Sequence, residues 1–413
     1  MKAGTRDRIV IFGMTYLALF LEKYTISGSC HLQPTRRPTP PRDRGKHLWH
    51  GRKCAFAMPM VETVTRMKYN SSALNSCDWS EKMAIHVRAP ATTPFTMGFD
   101  LGGTKMMAAV VDSKWNITHS RREKHKSKTG QKLGVSHVIE LVRATLEEAG
   151  LMKEQMRAFG IGCPGTIDLD KGVITEAPNL GWKNIPLKKE LEQAFGCPVT
   201  IANDVDSGTF GEYRFGAGKA ARCLIGVFPG TGIGGGCVYE GRLFRGKTGS
   251  ALEIGHIQVQ RDGPLCGCGR RGCIEAIASR LAIAKEAAVA AFRGNAPHLL
   301  AAAGTDLSQI RAKALAQSIA AGDAIIEKIV RRTARQLGRA IASVVNLMAP
   351  DTIVLGGGLV EAMPDLYLEE IRSTVKLEAM GAFTRNLKIA AAELGDNAGV
   401  LGAAALAGDA VKN

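Results

Sequence analysis

The feature that most constrains this 413-residue sequence is a glycine-rich turn that occurs twice, each time between two apolar, strand-like runs. The first, Asp100-Leu-Gly-Gly-Thr-Lys105, separates residues 95–99 from 106–111. The second, Gly230-Thr-Gly-Ile-Gly-Gly-Gly236, separates 224–228 from 236–239. A third run, Leu355-Gly-Gly-Gly358, ends a strand predicted over 352–355. Glycine lets the backbone take positive φ and approach a ligand closely. Successive N–H groups in such turns form concave nests for phosphate oxygens. For one turn alone, a tight hairpin without a ligand is the plainer reading. No G-x-x-x-x-G-K-S/T run is present, which excludes a P-loop. Gly230, Gly232 and Gly235 satisfy G-x-G-x-x-G, but a dinucleotide fingerprint demands a helix next, and residues 237–244 read as strand–turn–strand.

From Thr96 onward, strand and helix patterns alternate. Residues 133–148 place Val135, Val138, Ile139, Val142 and Leu146 on one helical face. Short strands are predicted over 158–162 and 199–202, the second feeding a helix that runs to Phe215. Long helices are predicted over 274–293 and 324–347, and a last one over 399–407. Hairpin-linked strands among helices imply α/β architecture with mixed sheets.

Residues 1–95 read differently. They carry a net +9 of the chain's +16, and Pro34, Pro38, Pro40 and Pro41 fall in one basic stretch. The apolar segment 9–21 resembles a signal-peptide core, but Glu22 and Lys23 follow it and no A-x-A-like site appears. A disordered basic extension is expected, or a start assigned too far upstream, with Met83 as the alternative. Peptides from residues 1–60 in the natural protein would exclude the second. The rest of the chain is mildly basic, which suits attraction of a polyanion and equally a plain solvated surface. Of ten cysteines, three cluster and the rest are scattered, so no disulfide framework is indicated and a reducing compartment is expected. No apolar run approaches the roughly 20 residues of a membrane span.

Two further groups carry chemistry. His256 precedes Cys266-Gly-Cys268-Gly-Arg-Arg-Gly-Cys273, one imidazole and three thiolates suited to a closed structural zinc; buried or redox-active cysteines are the alternative. Asn203-Asp204 follows a predicted strand and precedes a helix. Asp204 there can accept a proton from a hydroxyl, or either residue can simply cap the helix. Glu253 and Glu275 flank the cysteine cluster, where carboxylates could bind a polyol or merely face solvent. Asp100 could face Mg²⁺ through water or cap its own turn.

Two similar hairpin turns, one per half of the chain, resemble the paired phosphate loops of actin-like ATPases. In order along the chain stand Asp100-Leu-Gly-Gly-Thr-Lys105, Gly162-Cys-Pro-Gly165, Asn203-Asp204, the turn 230–236, Glu253-Ile-Gly-His256, the run Cys266 to Glu275, and Leu355-Gly-Gly-Gly358. This succession closely resembles the ROK family of bacterial sugar kinases and sugar-responsive repressors, over roughly residues 96–407. The resemblance implies a two-lobed actin-like (ribonuclease H-like) α/β fold. Residues 96–206 with about 395–413 would form a small lobe, and 207–394 a large one, after the 1–95 extension. It implies Asp204 as general base and Gly165, Asn179, Asn203, Glu253, His256 and Glu275 as sugar contacts. Asp100, Gly102, Gly103, Thr104, Lys105, Gly230, Thr231, Gly232 and Gly357 would hold ATP with Mg²⁺. His256, Cys266, Cys268 and Cys273 would hold a structural zinc. The chain departs from the family pattern at three places: Asn203-Asp-Val-Asp206 where N-D-A-N is frequent, Leu252 where glycine often precedes the glutamate, and Phe228-Pro229 before the second turn.

The expected activity is phosphorylation of a hexose at its 6-hydroxyl by ATP. Glucose is the first choice, because Asn179, Glu253, His256 and Glu275 suit free 1-, 2- and 3-hydroxyls. An N-acetylhexosamine or fructose is the alternative substrate. A repressor would need an N-terminal helix-turn-helix, and residues 1–95 show no pair of apolar-periodic helices around a short turn. The resemblance further implies a cytoplasmic homodimer or homotetramer, with no nucleic-acid or membrane partner.

Overall fold

The computed structural model describes residues 94–103, 105–124, 131–247, 249 and 251–412. The expectations for residues 1–93, including segment 9–21 and Met83, and for Thr104 lie outside the described residues.

The first sheet takes β1 (Phe95–Leu101), β2 (Lys105–Val111), β3 (Ile117–Lys124) and β4 (Met156–Cys163). A small antiparallel sheet follows, formed by β5 (Thr166–Asp168), β6 (Val173–Ala177) and β7 (Trp182–Ile185). Then β8 (Val199–Asn203) returns to the first sheet, giving the order β3-β2-β1-β4-β8. The second sheet is built alike. β9 (Cys223–Pro229), β10 (Ile233–Tyr239), β11 (Arg242–Leu243), β12 (Thr352–Leu355) and β13 (Lys388–Ala391) lie in the order β11-β10-β9-β12-β13. In each sheet the first three strands in chain order pair antiparallel, and the last two add parallel. Each long glycine turn thus closes the first hairpin of its own sheet, with Leu101 opposite Met106 and Pro229 opposite Ile233.

The helices are α1 (Gln131–Glu148), α2 (Leu187–Phe195), α3 (Asp204–Phe215), α4 (Ile274–Ala278), α5 (Arg280–Phe292), α6 (Pro297–Ala303), α7 (Ala312–Ala320), α8 (Ala324–Met348), α9 (Gly358–Ala362), α10 (Pro364–Glu378), α11 (Gly381–Thr384) and α12 (Ala398–Ala410). The single helix predicted over 274–293 is instead two. Ser279 is extended (φ −69°, ψ 161°), and its hydroxyl accepts the Ala282 N–H to cap α5. A serine whose side chain can satisfy an orphan N–H restarts a helix at little cost.

One core packs Val138, Leu141 and Val142 of α1 against Phe99, Phe159 and Leu191. The other gathers Ile326, Val330, Leu337 and Ile341 of α8 with Tyr367 and Ile371 of α10 and the second sheet. The chain's last helix, α12, lies on β1 and β4 and against α3. Glycine makes this approach possible. A β-carbon on Gly98 or Gly160 would meet the carbonyls of Val400 or Ala403, and one on Gly402 or Gly211 would meet those of Ser207 or Ala398. α3 also touches β9 and β10, so its first residue stands where both sheets converge. No helix among the described residues is long and apolar enough to cross a membrane.

Candidate active site

The capping reading of Asn203 holds. Asn203 is the N-cap of α3, its Oδ1 accepting the N–H groups of Val205 (2.9 Å) and Asp206 (3.4 Å). Its amide also hydrogen-bonds the carboxylate of Asp204, the first residue of the helix. Asp204 additionally accepts the Val205 N–H at 3.0 Å. It opens onto a cavity of about 240 Å³ shared with Asp100, Gly102, Gly357, Glu361 and Asp396. Surrounding protein raises the pKa of Asp204, and the charge of Glu253 adds to this, against its backbone hydrogen bonds. Asp100 is pushed up to about 7, first by burial and then by the charges of Asp204 and Asp396, with Arg122 opposing. Carboxylates gathered in low dielectric resist ionising together. Burial and mutual repulsion therefore favour the neutral forms of Asp100 and Asp204.

The glycine turns lie close to this group. Gly102 donates its N–H to the Lys105 carbonyl at 2.9 Å, and Gly230 to that of Gly232 at 2.8 Å, so both turns are tight. Lys105, Gly230 and Thr231 line a larger cavity of about 1270 Å³, closed by α7 and α9. Gly357 has φ 80° and precedes α9, with Pro229, the residue before the second turn, close by. Asn179 comes within reach of the first turn: a β-carbon on Gly103 would lie 3.6 Å from that of Asn179. Gly165, at φ +95°, presses against Glu176 and Ala177, which gives it a packing reason as well.

The proposed metal ligands come together. The ligand atoms of His256, Cys266, Cys268 and Cys273 all lie within 4.8 Å of one another. Cys268 Sγ is 3.7 Å from Cys273 Sγ, and Cys266 Sγ is 3.6 Å from His256 Nδ1. Tetrahedral zinc with Zn–S bonds of about 2.3 Å sets S···S separations of about 3.8 Å, so the donor set fits. Gly269 (φ +84°) and Gly272 (φ +75°) shape the knuckle, and a side chain on Gly272 would collide with Gln260. Leu252, two residues before the turn Ile254–His256, stands at φ 57°. That left-handed conformation is the one glycine adopts without strain, which explains why glycine suits this position.

Of the expected sugar contacts, Asn179 and Glu275 share a cavity of about 760 Å³ with Thr231, Gly232 and Cys266. Gly165, Asn203, Glu253 and His256 are not among the residues lining it. One Glu275 oxygen accepts the Ile233 N–H at 2.9 Å, so this residue also braces the second turn. Two carboxylates were missed from sequence: Asp396, just before α12, and Glu361 on α9. Glu361 follows the third glycine run and Asp396 a single glycine, Gly395, but only the return of α12 to the first sheet brings Asp396 to Asp100.

A sequence model described as "ROK family" matches residues 96–410. This chain belongs to the ROK family. A glucokinase of Streptomyces coelicolor is 36% identical over 315 residues, which is 76% of this chain and 97% of that protein. Among solved structures, a ROK family glucokinase from Streptomyces griseus in complex with glucose and AMPPNP matches with TM-score 0.67 at 34% identity, covering 76% of this chain and 99% of that one. A ROK hexokinase from Thermus thermophilus matches with TM-score 0.65 at 32% identity, covering 77% and 99%. The two-sheet architecture of this ROK protein is therefore the actin-like ATPase fold of these sugar kinases.

Proposed function

We propose that this chain phosphorylates glucose at its 6-hydroxyl with ATP. The observation that carries the reading is Asp204: a carboxylate at the head of α3, held by Asn203, facing Asp100 and the first glycine turn. In the reaction, Asp204 accepts the proton of the 6-hydroxyl as that oxygen bonds to the γ-phosphorus. The bond from that phosphorus to the bridging oxygen breaks, and ADP leaves. Burial keeps Asp204 basic enough for this, and its helix N–H groups keep it aimed. Gly102, Gly103 and Lys105 receive donor phosphates on one side, with Gly230, Thr231 and Gly232 on the other. Magnesium carried by the nucleotide would supply positive charge beside Asp100. Asn179, Glu253, His256 and Glu275 would hold the sugar, with Gly165 and Asn203 shaping the pocket. The Cys–His cluster would hold a zinc ion that fixes this pocket's frame. Residues 96–206 with 395–413 would move as one lobe against 207–394. A cytoplasmic homo-oligomer is the expected form.

The full chain is to be assayed with Mg·ATP against glucose, fructose, mannose, N-acetylglucosamine and N-acetylmannosamine. Glucose should give the highest kcat/KM. Asp204→Ala should lose at least about a hundredfold in kcat while still binding glucose by calorimetry. No ADP release with any sugar, or an Asp204→Ala variant that keeps its rate, would overturn the reading.

A further inference from the structure

Arg280 belongs to none of the motifs above. Its place follows from the helix break at Ser279, which turns the chain back toward the second glycine turn. The Arg280 N–H donates to the Gly230 carbonyl at 2.9 Å. Its guanidinium donates to Thr231 Oγ1 at 3.2 Å and to the Ile310 carbonyl at 3.4 Å. Five residues earlier, Glu275 accepts the Ile233 N–H at 2.9 Å. The segment from Glu275 to Arg280 thus grips the turn at both ends.

Arg280 also faces the 1270 Å³ cavity, together with Arg311, Lys105, Lys124 and Lys313. Glu361 is the only carboxylate among the described residues lining it. Burial, and then the neighbouring Arg311, hold the Arg280 guanidinium below its ordinary pKa. On a flexible surface two like charges would swing apart. Here Arg280 is tied to Thr231 and Ile310, and Arg311 donates to the Ser308 carbonyl at 3.1 Å. Fixed like charges around a cavity repel until an anion enters between them, and planar guanidinium forks match phosphate oxygens.

We propose that Arg280 is a donor-positioning residue, which holds Thr231 in place and, with Arg311, grips the polyphosphate of the nucleoside triphosphate. This rests on the kinase reading, so sugar-dependent ADP release by the unmodified protein is measured first and judges that reading alone. Given an active protein, Arg280→Met should raise KM for ATP about tenfold, with kcat and KM for glucose changed less than about twofold. ADP affinity by calorimetry should fall in parallel, while adenosine affinity stays level. Arg280→Lys, which keeps the charge, should recover part of the loss. An unchanged KM for ATP with unchanged ADP affinity would overturn the proposal. So would equal losses for adenosine and glucose, which mark a turn distorted as a whole. If Arg280→Met does not fold, Arg311→Met decides: the same phosphate-selective loss supports the grip, and native ADP affinity overturns it.

Discussion

At the scale of single residues, Asp206 couples the site to pH. It is 5% exposed, and burial pushes its pKa from 3.8 up to about 7, with Arg245 opposing and the charges of Asp204 and Glu253 adding. A pKa raised in the folded state means a stability contribution fully present below the unfolded value. That contribution is lost as pH rises through about 7. Asparagine keeps the shape and cannot ionise. Asp206→Asn should therefore gain stability over the unmodified protein by about 2 kcal/mol between pH 5 and pH 8. Urea unfolding at the two pH values measures it, and a difference that does not change with pH would refute it. The departure Asp206 was legible in sequence, but its burial was not, because that depends on Gly236 of β10 closing over it. Asn203-Asp204, the cysteine cluster and the glycine turns were legible because their chemistry is local to the chain. Arg280 and Asp396 were not, because each reaches the site through a tertiary contact.

At the scale of elements, the strands flanking the glycine turns follow directly from apolar runs and turn chemistry. The small sheet β5–β7 escaped detection because its strands are three to five residues long and half exposed. β3 escaped because Ile117–Lys124 is charged, as befits an edge strand. α10 went unpredicted although Pro364 at its start is a helix-opening signal. Amphipathic pattern explains little of α12, which is buried nearly all round. Its Gly402 faces the Ser207 carbonyl of α3 with no room for a β-carbon. In an exposed helix, Gly→Ala stabilises by about 1 kcal/mol. Here backbone would have to move, and overpacking of about 1–3 kcal/mol opposes that gain. Because the obstacle is main chain in two packed helices, the packing term should win. Gly402→Ala is expected to lower the midpoint of thermal unfolding, whereas Gly381→Ala, which meets nothing within 4 Å, should not. Equal effects at the two positions would contradict the close-packing account.

At the scale of the whole molecule, the two sheets repeat one strand order, yet the chain does not complete them in sequence. The first sheet is made from residues 95–203, but the helix covering its centre, α12, is made last. α12 buries Val400, Ala403, Ala404 and Ala405 against β1, β4 and α3. It also brings Asp396 to Arg122 at 2.6 Å and, through Gly399, lies beside Asp100. Glu212 of α3 strengthens this closure, its buried carboxylate accepting the N–H groups of Ala217, Glu393 and Leu394. Without α12, the glycine-lined faces of β1 and β4 would meet water, and α3 would lose the partner that orients Asp204. Secondary structure built from local contacts would survive, because α1 and α2 cover the opposite face of that sheet and α8 and α10 have their own core. A chain ending at residue 394 should therefore keep much of its far-ultraviolet circular dichroism. It should lose the sharp thermal transition, bind a hydrophobic dye and bind neither glucose nor ADP, as loosely packed states do. If the shortened chain instead unfolds cooperatively within a few degrees of the full one and still binds glucose, the first sheet is stable without its last helix. The placement of Asp204 would then depend on β8 and α3 alone.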